Sequence, residues 1–144
     1  MANVANIKLW IEALRSGKYR QAKSGLGRMV KHDDTARVTW EFCVLGVACE
    51  VAIESGVSVK RFLIPYRSRP LRDDWKPRDV VGRITYGHSL DESDAYTLPY
   101  IVAHWLGLSE NPKLASGDYL SYANDVGTPF EVLASVIESE YLPK

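Results

Sequence analysis

The sequence predicts an α+β fold: one compact domain, residues 1–144, in which a buried central helix is surrounded by amphipathic helices and a small antiparallel sheet. Three observations predict it. Residues 43–49, Cys-Val-Leu-Gly-Val-Ala-Cys, are apolar on every helical face, the mark of a helix with neighbours all round it. Stretches near both ends of the chain carry apolar residues at helical spacing and supply faces to wrap that centre. Between the first of these and the centre, Val38, Trp40 and Phe42 alternate with Thr39 and Glu41, the period of a half-buried strand.

In order along the chain, Ile7, Trp10, Ile11 and Leu14 form one helical stripe within residues 3–18, with Gly17 as the left-handed stop. Gly25 and Gly27 then punctuate the chain, and His32-Asp33-Asp34-Thr35 is a polar turn, so strands at 27–31 and 37–42 make a hairpin. The central helix runs over 43–55 and stops at Gly56. Gly46 permits a close neighbour, and Glu50 and Glu54, four apart, form its wet edge. Residues 60–83 hold Pro65, Pro70 and Pro77, which break both periods and predict a long ordered loop or a mobile arm; 80–86 return as a short strand, and 87–96 form a polar loop. Residues 98–106 form a short helix with Thr97 as N-cap, Pro99 in its first turn and Gly107 after it. A helical turn or two follows at 120–124. Thr128-Pro129-Phe130-Glu131 then reads as a capping box, opening a last helix that buries Phe130, Leu133, Ile137 and Tyr141. Trp10, Trp40 and Trp105 fall on apolar stripes as core anchors; Trp75 has no such place.

Composition narrows the function classes. With 46% hydrophobic and 25% charged residues the chain has material for a core, which excludes disorder. No apolar run approaches the roughly 20 residues that span a bilayer, and residues 1–8 lack the plan of a secretory signal, so no membrane partner and a cytoplasmic location are expected. Two cysteines, Cys43 and Cys49, make no disulfide framework and fit a reducing compartment. With no Cys-x-x-Cys and no close histidine pair, neither a metal nor a cofactor is expected. Eighteen basic residues balance eighteen acidic ones, yet the charge is polarised: +2 over residues 1–59, +5 over 60–83, and −7 from Asp91 onward.

Several blocks resemble a known family. Leu9-Trp10-Ile11-Glu12-Ala13-Leu14-Arg15-Ser16-Gly17-Lys18-Tyr19 looks like the opening of a family of small actinobacteriophage proteins of unassigned activity. Phe42-Cys43-Val44-Leu45-Gly46-Val47-Ala48-Cys49-Glu50 resembles its central Cys-Cys-Leu-Gly-Val-x-Cys-Asp/Glu block, with Val44 in place of the second cysteine. Leu98-Pro99, Trp105-Leu106-Gly107-Leu108 and Asn124-Asp125-x-Gly127 with Phe130-Glu131 are similar to its remaining blocks, and the basic stretch from Arg67 to Arg83 is an extension of the pattern. The resemblance implies a phage-encoded protein acting in the host cytoplasm.

Two kinds of function follow. The cationic, aromatic-bearing segment predicts a partner-binding surface at Arg67, Arg69, Arg72, Trp75, Lys76 and Arg78, since Arg and Trp dominate binding hot spots. The expected role is a non-enzymatic accessory protein that binds a host macromolecule, a host protein first, in takeover or anti-defence. A nucleotide or nucleic acid on the same arginines is the alternative. The enzymatic alternative is a thiol at Cys43, opening a helix, with His88 or His104 as its base. Against it stands the usual place of a free cysteine among apolar neighbours, here Phe42, Val44 and Leu45. Asn124-Asp125-Val126-Gly127 reads as a turn ahead of the last helix.

Overall fold

The computed structural model describes residues 2–31, 37–66 and 80–144. Among them lie five helices, α1 (Val4–Arg15), α2 (Val44–Glu54), α3 (Tyr100–Leu106), α4 (Leu120–Asp125) and α5 (Phe130–Tyr141). Five strands, β1 (Gly27–Lys31), β2 (Val38–Phe42), β3 (Lys60–Pro65), β4 (Val80–Gly87) and β5 (Ser93–Asp94), form one antiparallel sheet in the order β2-β1-β4-β3, with β5 also on β4. The α+β class, the buried central helix and the small antiparallel sheet are therefore as the sequence predicts.

α1 forms because Asn3 Oδ1 accepts the Asn6 N–H at 3.1 Å while Ile7, Trp10, Ile11 and Leu14 turn one stripe inward. It packs against α5 and α2, and the Trp10 indole N–H donates to the Val44 carbonyl at 2.9 Å. α2 is buried over nine consecutive residues from Val44 to Ala52. Gly46 is the reason it can sit so deep. A Cβ there would stand 1.8 Å from the Leu26 carbonyl oxygen, and that same oxygen accepts the Cys43 N–H. The sheet meets α2 through Phe42, Ile84 and Tyr86.

Several sequence expectations need correction. Residues 60–65 are the edge strand β3, not loop: Pro65 is its last residue, and an edge strand tolerates a missing N–H. The polar loop 87–96 contains β5. Pro99 and Pro129, not Thr97 and Thr128, occupy the N-cap positions of α3 and α5, and neither cap uses a side chain. The Thr128 carbonyl is engaged elsewhere, by Gln21 Nε2 at 2.7 Å.

In β2 Phe42 is buried as the alternation predicts, but Val38, Trp40 and Glu41 are not where it puts them. Trp40 is 38% exposed and Val38 37%, while Glu41 is only 2% exposed. Glu41 is tolerated inside because Arg28 Nε and Nη2 donate to its Oε1 at 2.9 and 2.8 Å. Trp40 has the Arg61 guanidinium 4.9 Å above its ring. Glu50 is likewise not on a wet edge. It is buried and accepts from Arg61 Nε at 2.8 Å, Arg61 Nη2 at 2.5 Å and the Tyr86 hydroxyl at 2.7 Å. Glu54 is exposed as expected, and pairs with Lys18 at 2.6 Å.

Candidate functional site: a basic cleft beside the sheet

The register of the sheet brings like charges together. Gly27 pairs with Phe42 and Ile84 on the α2 side, so the next residues, Glu41 on β2, Arg28 on β1 and Arg83 on β4, form a row on the opposite face. Two arginines directly opposite each other repel. Glu41 offsets one of them, through the ion pair to Arg28. Arg83 is exposed and meets no carboxylate among the described residues.

The chain entering β1 adds a third cation. Residues 22–26 are held as a fixed turn: the Ala22 N–H donates to Phe42 O, the Ser24 N–H to Asp125 Oδ1, and the Leu26 N–H to Ala95 O. Ser24 adopts φ +59 and Gly25 φ +117. Gly25 is needed there because its φ is one that L side chains rarely adopt; a Cβ would also be tight on the Ala95 carbonyl oxygen at 3.3 Å, with the Tyr96 ring in ordinary contact at 3.8 Å. The turn thus lies against Tyr96 and presents Lys23, exposed and without an ion-pair partner among the described residues. Together Lys23, Gly25, Arg28, Arg83, Tyr66 and Tyr96 line a cleft of about 260 Å³. Tyr66 is fixed by its N–H on the Val81 carbonyl at 3.0 Å, and both tyrosine rings are open to solvent, 44% and 65% exposed.

Asn124 anchors the support behind this turn. Its Oδ1 accepts from Gln21 Nε2 at 2.9 Å and from the Val44 N–H at 3.1 Å; its Nδ2 donates to Ala22 O at 2.7 Å and Asp125 Oδ1 at 3.2 Å. The stretch read as a plain turn is therefore the end of α4, joining the cleft loop to the first turn of α2.

The residues named from sequence separate into two groups. Arg67, Arg69, Arg72, Trp75, Lys76 and Arg78 lie outside the described residues; Tyr66, which immediately precedes them, is on the cleft wall. Cys43 is at the N-cap of α2 as predicted, but buried. Burial pushes its thiol up to about 12, and the Leu45 and Gly46 amides lower it only in part. Cys49 is buried and raised too, again chiefly by burial. His88 and His104 are exposed, neither hydrogen-bonds the thiol, and His104 stacks instead on Tyr100 with centroids 5.9 Å apart. The Cys–His pairing is thus not assembled, and the thiol stays protonated at neutral pH. Lys23, Arg28 and Tyr96 were missed by sequence reasoning. Their signal was the Ser-Gly-Leu-Gly punctuation before β1, whose meaning depends on a strand register that sequence does not supply.

Residues 3–141 match the family described as Domain of unknown function (DUF8296). The chain belongs to this family. No curated protein and no solved structure matches it. The family description names no activity, so the chemistry must come from the residues. Among the described residues no group of three or more His, Cys, Asp or Glu side chains is placed to hold a metal ion. No helix among them is long and apolar enough to cross a membrane.

Proposed function

We propose that this chain is a non-enzymatic accessory protein of a bacteriophage that docks on a macromolecule of the host cell, a host protein first, through the face carrying the basic cleft. The phage setting is supported by the sequence blocks at residues 9–19 and 42–50. The observation that carries the docking surface is the pair of exposed cations, Lys23 and Arg83, without carboxylate partners among the described residues and beside two exposed tyrosines. A charge left unpaired beside open aromatic rings is a surface prepared for an anionic partner. The arginine segment beginning at Arg67 follows Tyr66 directly in the sequence. The protonated, buried Cys43 supports the non-enzymatic reading.

Affinity capture from a nuclease-treated actinobacterial lysate tests it. The wild-type chain is compared with Lys23→Glu/Arg83→Glu and with Arg69→Ala/Arg72→Ala/Trp75→Ala. A partner held by the wild type and lost by the first variant, with an unchanged circular dichroism spectrum, is the expected result; loss by the second as well brings the arginine segment into the surface. Equal retention by the Lys23/Arg83 variant removes the cleft face from the proposal, and capture of nothing overturns the docking role.

A further inference from the structure

We infer that the basic cleft is a binding site for a single nucleoside phosphate. This goes beyond the docking role and does not depend on it, since a small ligand can occupy the cleft whichever macromolecule meets the surrounding face.

Three features select the ligand class. The first is charge. Among the described residues Lys23, Arg28 and Arg83 line the cleft and no carboxylate does; the nearby Glu41 is engaged by Arg28 and Asp125 accepts the Ser24 N–H. Arg83 keeps its whole donor fork, with no protein acceptor among the described residues, and a guanidinium fork matches phosphate oxygens in pairs. Lys23 supplies a point charge from the adjoining turn.

The second is the aromatic lining. Tyr66 and Tyr96 expose their rings at the cleft, and a nucleobase stacks on such a surface whatever its identity. A bare phosphate or a carboxylate would use the cations and leave the rings idle. The third is shape. About 260 Å³ falls just below the roughly 300–1,000 Å³ of ordinary ligand pockets, which leaves room for no more than one nucleotide and none for a polymer laid along a groove. The zero net charge of the chain also disfavours a long polyanion.

The cleft is preorganised for this. The turn at 22–26 is tied to β2, α4 and the residue after β5 by three backbone N–H donors, and Gly25 holds it against Tyr96. Little loop entropy is then lost on binding. Base identity is left open by this geometry, because the described cleft offers stacking faces and no set of donors and acceptors matched to one base edge.

Isothermal titration of the full chain with adenosine monophosphate, guanosine monophosphate, adenosine, inorganic phosphate and a short oligothymidylate tests the proposal. Both monophosphates should bind at one site, at least about tenfold tighter than adenosine or phosphate alone, as expected when stacking and ion pairing each contribute. Arg83→Ala should bring nucleotide affinity down to that of the nucleoside, and Tyr96→Ala should weaken it about tenfold while Tyr96→Phe restores it. Both positions are exposed, so the variants keep the fold. Phosphate binding as tightly as the nucleotides, an unaffected Tyr96→Ala, tighter binding of the oligothymidylate, or no saturation by about 5 mM nucleotide would each overturn the site. Capture of a host macromolecule despite such a result would leave the docking role standing; nucleotide binding without capture would do the reverse.

Discussion

Replacing Gly46 with alanine sets helix propensity against packing, and the two predict opposite signs. Propensity alone makes alanine the better residue inside a helix by about 1 kcal/mol. The structure says otherwise. The new Cβ would lie 1.8 Å from the Leu26 carbonyl oxygen and 2.8 Å from its carbonyl carbon, whereas carbon and oxygen ordinarily stay about 3.3 Å apart or more. The clash is backbone against Cβ, so no rotamer relieves it; α2 and the strand entry must separate by about 1.5 Å. That movement breaks the Cys43 N–H to Leu26 O bond, which is 3.1 Å long, and leaves a buried donor unpaired at a cost of about 1–3 kcal/mol. Overpacking of the surrounding core adds about 1–3 kcal/mol. Net of the propensity gain, Gly46→Ala should destabilise by about 1–5 kcal/mol, a large part of the stability of a small domain. Urea unfolding followed by tryptophan fluorescence measures it: with a slope near 2 kcal/mol per molar the midpoint should fall by about 0.5–2.5 M at unchanged slope. A variant as stable as the wild type, or more so, refutes the close approach of α2 to Leu26 and with it the account of how the cleft loop is held.

Three further outcomes follow from the buried polar and thiol groups. Cys43 and Cys49 should resist iodoacetamide at neutral pH until the chain is unfolded, as mass spectrometry of the alkylated protein would reveal; rapid native labelling of Cys43 would contradict its burial. Because the folded state keeps the Cys43 proton to about 12 while an unfolded thiol releases it near pH 8.5, stability should fall as pH rises above about 8.5, by up to about 1.4 kcal/mol per unit for this one group, and Cys43→Ala should reduce the slope by that share, leaving the contribution of buried Cys49. Asn124→Ala removes an amide making four hydrogen bonds and strands the buried Val44 N–H, so a loss of about 2–4 kcal/mol is expected in calorimetry, together with weaker ligand binding at the cleft; an unchanged melting temperature would show that the turn at 22–26 does not depend on it.

Much of this molecule is written in local pattern. The stripe Ile7, Trp10, Ile11, Leu14 needs no partner to declare a helix, because helical geometry alone puts those side chains on one face. The all-apolar run at 43–49 likewise announces burial, and Gly46 a close neighbour, because nothing else makes such residues favourable in a helix. The site is different in kind. Arg28 and Arg83 are 55 positions apart, and only the antiparallel register of β1 on β4 sets them side by side. Glu41 and Glu50 look like solvent-facing carboxylates until tertiary packing delivers Arg28 to one and Arg61 and Tyr86 to the other. Charge pairing across a sheet is fixed by which strands meet and in what register, and those are settled by the collective packing of the core. The sequence by itself therefore determined the class of fold, its buried helix and the apolar setting of Cys43. Tertiary structure alone decided which charges are neutralised, which are left open, and that the open ones share a cleft with two tyrosines.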